Sequence, residues 1–203
     1  MRGFSDEERD RIRAELLETG SELFAQFGLE RTRIKDVTDE VGIGTSTFYQ
    51  FFDSKEELYS QVLVNEQASL EETITETVEQ SDDPREQVRL TLETMLDAIE
   101  SNPLIRRLIV EGELRSLQQH LSETERQTLT EAMYTESLSY VDEWTEHPSF
   151  RATDPELVYG LLRALVFVTR SKDIFEEAET VAEYDDVRAV LIDVVVDGLF
   201  PDD

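Results

Sequence analysis

The sequence predicts a fold made only of helices, about nine of them. Three observations carry this: helix caps recur along the chain, apolar residues repeat at the helical period, and no stretch alternates apolar and polar residues with strand formers.

Taken in order, Ser5-Asp6-Glu7-Glu8 has the form of a capping box. Behind it Ile12, Leu16, Leu23 and Phe27 fall on one helical face, and Gly28 offers the left-handed residue that ends a helix. Thr32 is placed to cap a second helix through Val41, with Ile34, Val37 and Val41 apolar. Gly42-Ile43-Gly44 reads as a tight turn before a short segment from Thr45 to Phe52. Ser54-Lys55-Glu56-Glu57 forms a second box and opens a long helix to about Gln80. Asp83-Pro84 and Asn102-Pro103 start helices over about 84–101 and 103–120, because proline suits the first helical position. Ser122-Glu123-Thr124-Glu125 opens 123–146, Asp154-Pro155 opens 155–177, and a last helix runs from about Asp185 to Leu199.

Composition narrows the function. The 203 residues carry 47 acidic and 19 basic side chains, net −28, and the basic set is 16 Arg with only Lys35, Lys55 and Lys172. The absence of cysteine excludes a disulfide scaffold, a thiolate metal site and a cysteine nucleophile. Two distant histidines, His120 and His147, give no metal centre and read as surface or capping groups. No metal and no cofactor are expected. The longest wholly apolar run, Ala164 to Val168, is far short of the ~18 residues a membrane span needs. Residues 1–25 lack the basic head and apolar run of a signal peptide. These features together lead us to expect a soluble, cytoplasmic chain. A surface so acidic repels itself, and molar salt, with a Debye length of roughly 3 Å, quenches that repulsion; the composition resembles that of proteins from salt-in halophiles. No phosphate loop, dinucleotide turn, Ser-His-Asp spacing or paired-carboxylate signature appears, so no enzyme is expected.

Function is carried by residues 32–55. A helix, a glycine turn and a second short helix make a helix-turn-helix, whose second helix enters the DNA major groove. Ile34, Val37, Val41, Ile43, Phe48 and Phe52 form its apolar inner face. The outer face offers Thr45, Ser46, Thr47, Tyr49 and Gln50, which are hydroxyls, a phenol and an amide able to bond base edges or phosphates. No charged residue lies between Val41 and Phe52. Residues 1–60 hold 8 basic and 14 acidic side chains, net −6, against net −22 for 61–203, so most of the acidity sits away from this head.

The N-terminal 60 residues closely resemble the TetR/AcrR family of transcriptional regulators. The resemblance rests on Glu22-Leu23-Phe24-Ala25-Gln26-Phe27-Gly28, on Thr32-Arg33-Ile34-Lys35-Asp36-Val37, and on Val41 to Phe52 followed by Ser54-Lys55-Glu56-Glu57-Leu58. It implies a three-helix DNA-binding domain over 1–60 and a helical ligand-binding and dimerisation domain over 61–203. It implies DNA contacts from Lys35, Thr45, Ser46, Thr47, Tyr49, Gln50 and Lys55, with Tyr49 and Lys55 on phosphates. Family members commonly carry Ser, Lys, Gly where this chain has Gly44, Thr45, Ser46, and His at Gln50. A basic contact is thereby replaced by neutral groups.

The resemblance further implies a homodimer on a palindromic operator, most often a repressor, released by a small-molecule effector. Pocket candidates are Met95, Ile99, Leu108, Leu117, Met133, Tyr134, Leu138, Val141, Trp144 and Phe167. Among the arginines, Arg106, Arg107, Arg115, Arg163 and Arg170 are candidates to hold an anionic ligand group or to pair with nearby carboxylates. Leu157, Leu161 and Leu165 on one helix, with Val187, Val190, Leu191, Val194 and Leu199 on the last, make apolar stripes suited to a two-fold four-helix bundle.

Overall fold

The computed structural model describes residues 4–109, 112–134, 140–151, 154–168, 172 and 183–201. Eleven helices and no strand occur among them: α1 (Asp6–Arg31), α2 (Ile34–Val41), α3 (Thr45–Phe48), α4 (Lys55–Val78), α5 (Pro84–Ser101), α6 (Pro103–Ile109), α7 (Glu113–His120), α8 (Glu123–Tyr134), α9 (Tyr140–Glu146), α10 (Pro155–Val166) and α11 (Tyr184–Leu199). The count exceeds nine partly because the expected 103–120 helix is two, with Gly112 at φ +78 before α7. No helix among the described residues is long and apolar enough to cross a membrane.

The caps act largely as the sequence foretells. Ser5 accepts from the Glu8 backbone N–H while its own N–H donates to the Glu8 carboxylate at 2.9 Å. Hydrogen bonding to the carboxylate from the Ser5 backbone N–H, and next from the Ser5 side chain, holds the Glu8 carboxyl below its usual value. Ser122 and Glu125 repeat the reciprocal pair. Asp83 and Asp154 accept from Arg85 and Glu156 in front of Pro84 and Pro155. The Ser54 box is only half made: its hydroxyl accepts from Glu57, but the Glu57 carboxylate takes the Asp53 N–H instead.

Two compact units emerge: Met1–Ala68 with Pro103–Thr135, and Ser69–Asn102 with Glu136–Asp203. The expected boundary at residue 60 coincides with no break, since α4 runs straight through it. Residues 103–135 also belong with the N-terminal head.

In the first unit the core gathers Ile12, Leu16, Phe24 and Leu29 from α1 and Val37, Phe48 and Phe52 from the helix-turn-helix. To these it adds Leu58, Tyr59 and Val62 from α4, and Leu104, Leu108, Leu117 and Leu129 from α6–α8. Gly20 lets α4 close on α1, because a Cβ there would stand 3.1 Å from the Leu58 side chain. One expectation fails: Phe24 is fully buried, whereas Phe27 is 45% exposed. Phe27 lines an open groove with Leu23 and with the charged Arg31, Arg33, Asp36, Asp39 and Glu40, and its ring stays partly in solvent.

The second unit packs Val88, Leu92 and Leu96 of α5 with Val141 and Trp144, Val158 and Leu162, and Ile192 and Val196. The Trp144 indole N–H donates to Gln87 at 2.8 Å. Charge pairs lace α5 to α11: Arg85 with Asp197, Arg89 with Asp193, and Arg188 with Asp97.

Candidate nucleic-acid interface

The helix-turn-helix is built from its glycines and its buried ring of apolar side chains. α2 stops at Gly42, which adopts φ 77, ψ 29 and donates to the Thr38 carbonyl at 3.0 Å. That is the left-handed conformation glycine adopts without steric cost. Extended Gly44 then caps α3, accepting from the Thr47 and Phe48 backbone N–H groups, and Thr45 is the first helical residue. Helical bonding continues past Phe48, with Phe51 and Phe52 both donating to its carbonyl. Val37, Phe48 and Phe52 are buried, and Ile34, Val41 and Ile43 pack half-buried against them. With this inner face fixed in the core, Thr45, Ser46, Tyr49 and Gln50 are left exposed and Thr47 half-buried. Tyr49 is 53% exposed, its ring edge-on to Phe48 at 5.5 Å. The expected groove-facing residues are therefore brought together on one surface without a charge among them.

The two lysines both make contacts within the chain. Lys35 is exposed but reaches Asp39 at 2.5 Å, one turn along its own helix. Half-buried Lys55 donates to the Leu29 carbonyl at 2.7 Å and to Thr32 at 3.2 Å, which are unsatisfied carbonyls at the end of α1. A cation at a helix C-terminus is favourably placed against the dipole; Lys55 is thus a fastener between α1 and α4. Thr32 is not the cap of α2. Arg33 occupies that position, bonded through Asp36, while the buried Thr32 hydroxyl turns back onto the Gly28 carbonyl at 2.8 Å.

Sequence reasoning missed a second group of cations at this surface. Arg9 on α1 donates to the Gln50 carbonyl at 3.3 Å and lies 5.0 Å over the Phe51 ring. Arg13, one turn on, lies 5.3 Å over Phe52 and donates to Gln61 at 3.1 Å. These pairings span 41 and 48 residues of chain, so no local pattern announces them.

The remaining candidates separate. Leu108 and Leu117 belong to the core of the first unit, Met95 and Trp144 to that of the second, where Val141 also lies. Ile99 is buried on α5 and Phe167 is 56% exposed. Met133 and Tyr134 close α8 with side chains outside the description, and Leu138 and Arg170 lie outside the described residues. Arg107 donates to the Ala25 and Gln26 carbonyls at 3.1 Å, a structural use. His120 bonds the Ser116 carbonyl and His147 bonds Ser149, in keeping with capping and surface roles. Of the proposed dimer stripe, Leu157, Leu161, Val190 and Val194 are exposed, Val187 and Leu191 half-buried. Leu165 and Leu199 are buried, at 8% and 6% exposure, in the core of the second unit.

Comparison with known proteins agrees with the head. The model of the bacterial regulatory proteins of the tetR family matches residues 16–62. The HTH-type transcriptional activator FasR of Mycolicibacterium smegmatis is 31% identical over 105 residues, 52% of this chain and 48% of FasR, so the chain spans about half that relative's length. The HTH-type transcriptional repressor KstR2 of Rhodococcus jostii is 29% identical over 161 residues, 77% of this chain and 76% of the relative. Among solved structures, that of superantigen PfiT superposes with a TM-score of 0.70 at 21% identity, covering 95% of this chain and 97% of PfiT; at that identity it shows a shared fold. The matched segment, residues 16–62, is the part of this chain that holds the helix-turn-helix, and there it is similar to the tetR family of bacterial regulatory proteins.

Proposed function

We propose that the protein is a sequence-specific DNA-binding transcriptional repressor, acting as a homodimer on a palindromic operator and released by a small-molecule effector. The observation that carries this reading is the exposed, charge-free surface of Thr45, Ser46, Tyr49 and Gln50 on a helix whose other face is locked into the core. Such a surface offers hydrogen bonds to base edges without the desolvation of a carboxylate against phosphate. Thr47, half-buried, borders it, and Tyr49 stands out far enough for its phenol to reach a phosphate oxygen. Residues 61–203 carry the effector and dimer functions, with Leu157, Leu161, Val190 and Val194 as the patch two protomers share.

Repression rather than activation is supported by the relative named a repressor, which aligns over 161 residues against 105 for the activator. Release follows from a population shift: an effector that binds better to the state unable to seat both heads on their half-sites lowers operator affinity. The fold does not by itself choose this function, because PfiT shares it under the name superantigen.

The test is fluorescence anisotropy on the DNA upstream of the protein's own gene, in concentrated KCl to screen the acidic surface. Saturable binding that competitor DNA of random sequence fails to displace, and that Tyr49→Ala abolishes, is the expected result. A folded protein that binds no segment of genomic DNA in an occupancy map overturns the reading.

A further inference from the structure

We propose that Arg9 and Arg13 of α1 are the phosphate contacts of this DNA head, supplying beside the recognition helix the positive charge that the helix itself lacks. The proposal rests on the regulator reading above and adds a binding role for two residues outside the helix-turn-helix.

The first argument is electrostatic. In a chain with 47 acidic and 19 basic side chains, a surface cation is expected to find a carboxylate. Its neighbours on the head do so: Arg11 pairs with Glu15, Arg33 with Asp36 and Lys35 with Asp39. Lys55 is spent on two carbonyls, and Arg31 shares an open groove with Asp36, Asp39 and Glu40. Among the described residues Arg9 and Arg13 make no ion pair. Their recorded partners are neutral: a backbone carbonyl, an amide oxygen and two aromatic rings. Their charge is held in place without being neutralised.

The second argument is placement. Gln50, Phe51 and Phe52 are where the chain leaves the recognition helix, directly after Tyr49. Arg9 is bonded to the first and lies over the ring of the second, and Arg13 lies over the ring of the third. A helix seated in the major groove has the sugar-phosphate backbones along its borders, and contacts to them fix register without reading sequence. Stacking on a ring also suits arginine, whose planar guanidinium covers an aromatic face while its edge keeps donors for a bidentate phosphate bond. Arg9 uses one terminal nitrogen on Gln50 and Arg13 one on Gln61, leaving further N–H groups on each.

The experiment uses the full chain and a labelled duplex of random sequence, since a phosphate contact needs no operator. Affinity is measured across a KCl series, and the slope of log affinity against log salt is the readout. Arg9→Gln and Arg13→Gln are each expected to lower that slope by about 0.9 for every contact removed, and the double variant by the sum. Arg11→Gln, whose guanidinium lies with Glu15, is expected to leave it unchanged. Arg9→Lys and Arg13→Lys keep the charge while losing the guanidinium over the ring, so they retain the slope even where affinity drops. Arginines that only brace the recognition helix would give glutamine variants of weaker affinity at the wild-type slope, and that result overturns the proposal. Lysine variants that lose slope as the glutamine variants do overturn it as well. A wild-type protein that binds no duplex at any salt overturns the regulator reading itself, a distinct outcome.

Discussion

Gly28 is the residue whose replacement the structure prices most fully. It sits inside α1 at φ 76, ψ 171, a backbone region essentially reserved for glycine, and the helix resumes beyond it to Arg31. An alanine there costs about 1–3 kcal/mol in backbone strain. Its Cβ would also stand 2.5 Å from a Glu113 carboxylate oxygen and 3.2 Å from Arg107 Nη1. The Glu113 side chain is flexible at its end, yet its other oxygen holds the Tyr59 hydroxyl at 2.9 Å. Moving it aside gives up a charge-assisted bond worth about 1.5–3 kcal/mol. Gly28→Ala is therefore expected to cost about 2.5–6 kcal/mol, a Tm loss of roughly 2–4 °C per kcal/mol for a chain of this size. Gly42→Ala is the comparison: φ is the same, at 77, but ψ is 29 and nothing lies within 4 Å of the new Cβ, so only the left-handed cost of about 1–2 kcal/mol applies. Thermal melts followed by circular dichroism, in matched salt, read both. Combining Gly28→Ala with Glu113→Ala and referring it to Glu113→Ala alone should recover the carboxylate share and leave the backbone share. If Gly28→Ala proves no worse than Gly42→Ala, the reasoning from ψ and from Glu113 is wrong.

Three further outcomes are expected. Gln87→Leu leaves the indole N–H of Trp144, 1% exposed, without its partner, and should lower stability by about 1–3 kcal/mol in a urea titration followed by the chain's single tryptophan; an unchanged midpoint refutes it. Burial, followed by the hydrogen bond to the Glu100 carboxylate, pushes the Tyr184 phenol well above its ordinary value of 10. Because the folded state holds that proton more tightly, its contribution is complete below pH 10 and is lost as pH climbs above it. Burial also raises the Tyr159 phenol, so an alkaline absorbance titration should show a late-ionising phase that Tyr184→Phe reduces and does not abolish. Leu157→Glu with Val194→Glu, at positions 66% and 63% exposed, should shift the protein to monomer in light scattering with its helicity intact, whereas Leu165→Glu should unfold the second unit. A dimer that survives the double change removes these helices from the interface.

Much of this protein is written in short-range sequence. Ser5, Ser122, Asp83 and Asp154 start their helices because a cap needs only a side-chain oxygen and the next two or three N–H groups, all within reach along the chain. The helix-turn-helix is legible for the same reason: Gly42, Gly44 and the spacing of Val37, Phe48 and Phe52 settle both the turn and the outward face of Thr45 to Gln50. Only the tertiary structure could decide what depends on which elements meet. Helical period puts Phe27 on the apolar face of α1, yet it is Phe24 that the closed core buries, while Phe27 is left in an open groove beside Asp36, Asp39 and Glu40. The period likewise groups Leu165 with Leu161, and burial separates them. Lys55 meets the carbonyls of Leu29 and Thr32, and Arg9 meets Gln50, across stretches of chain that carry no shared periodicity. Caps and turns are fixed by neighbours in sequence; the use of a charge is fixed by neighbours in space, and those exist only once the core has closed.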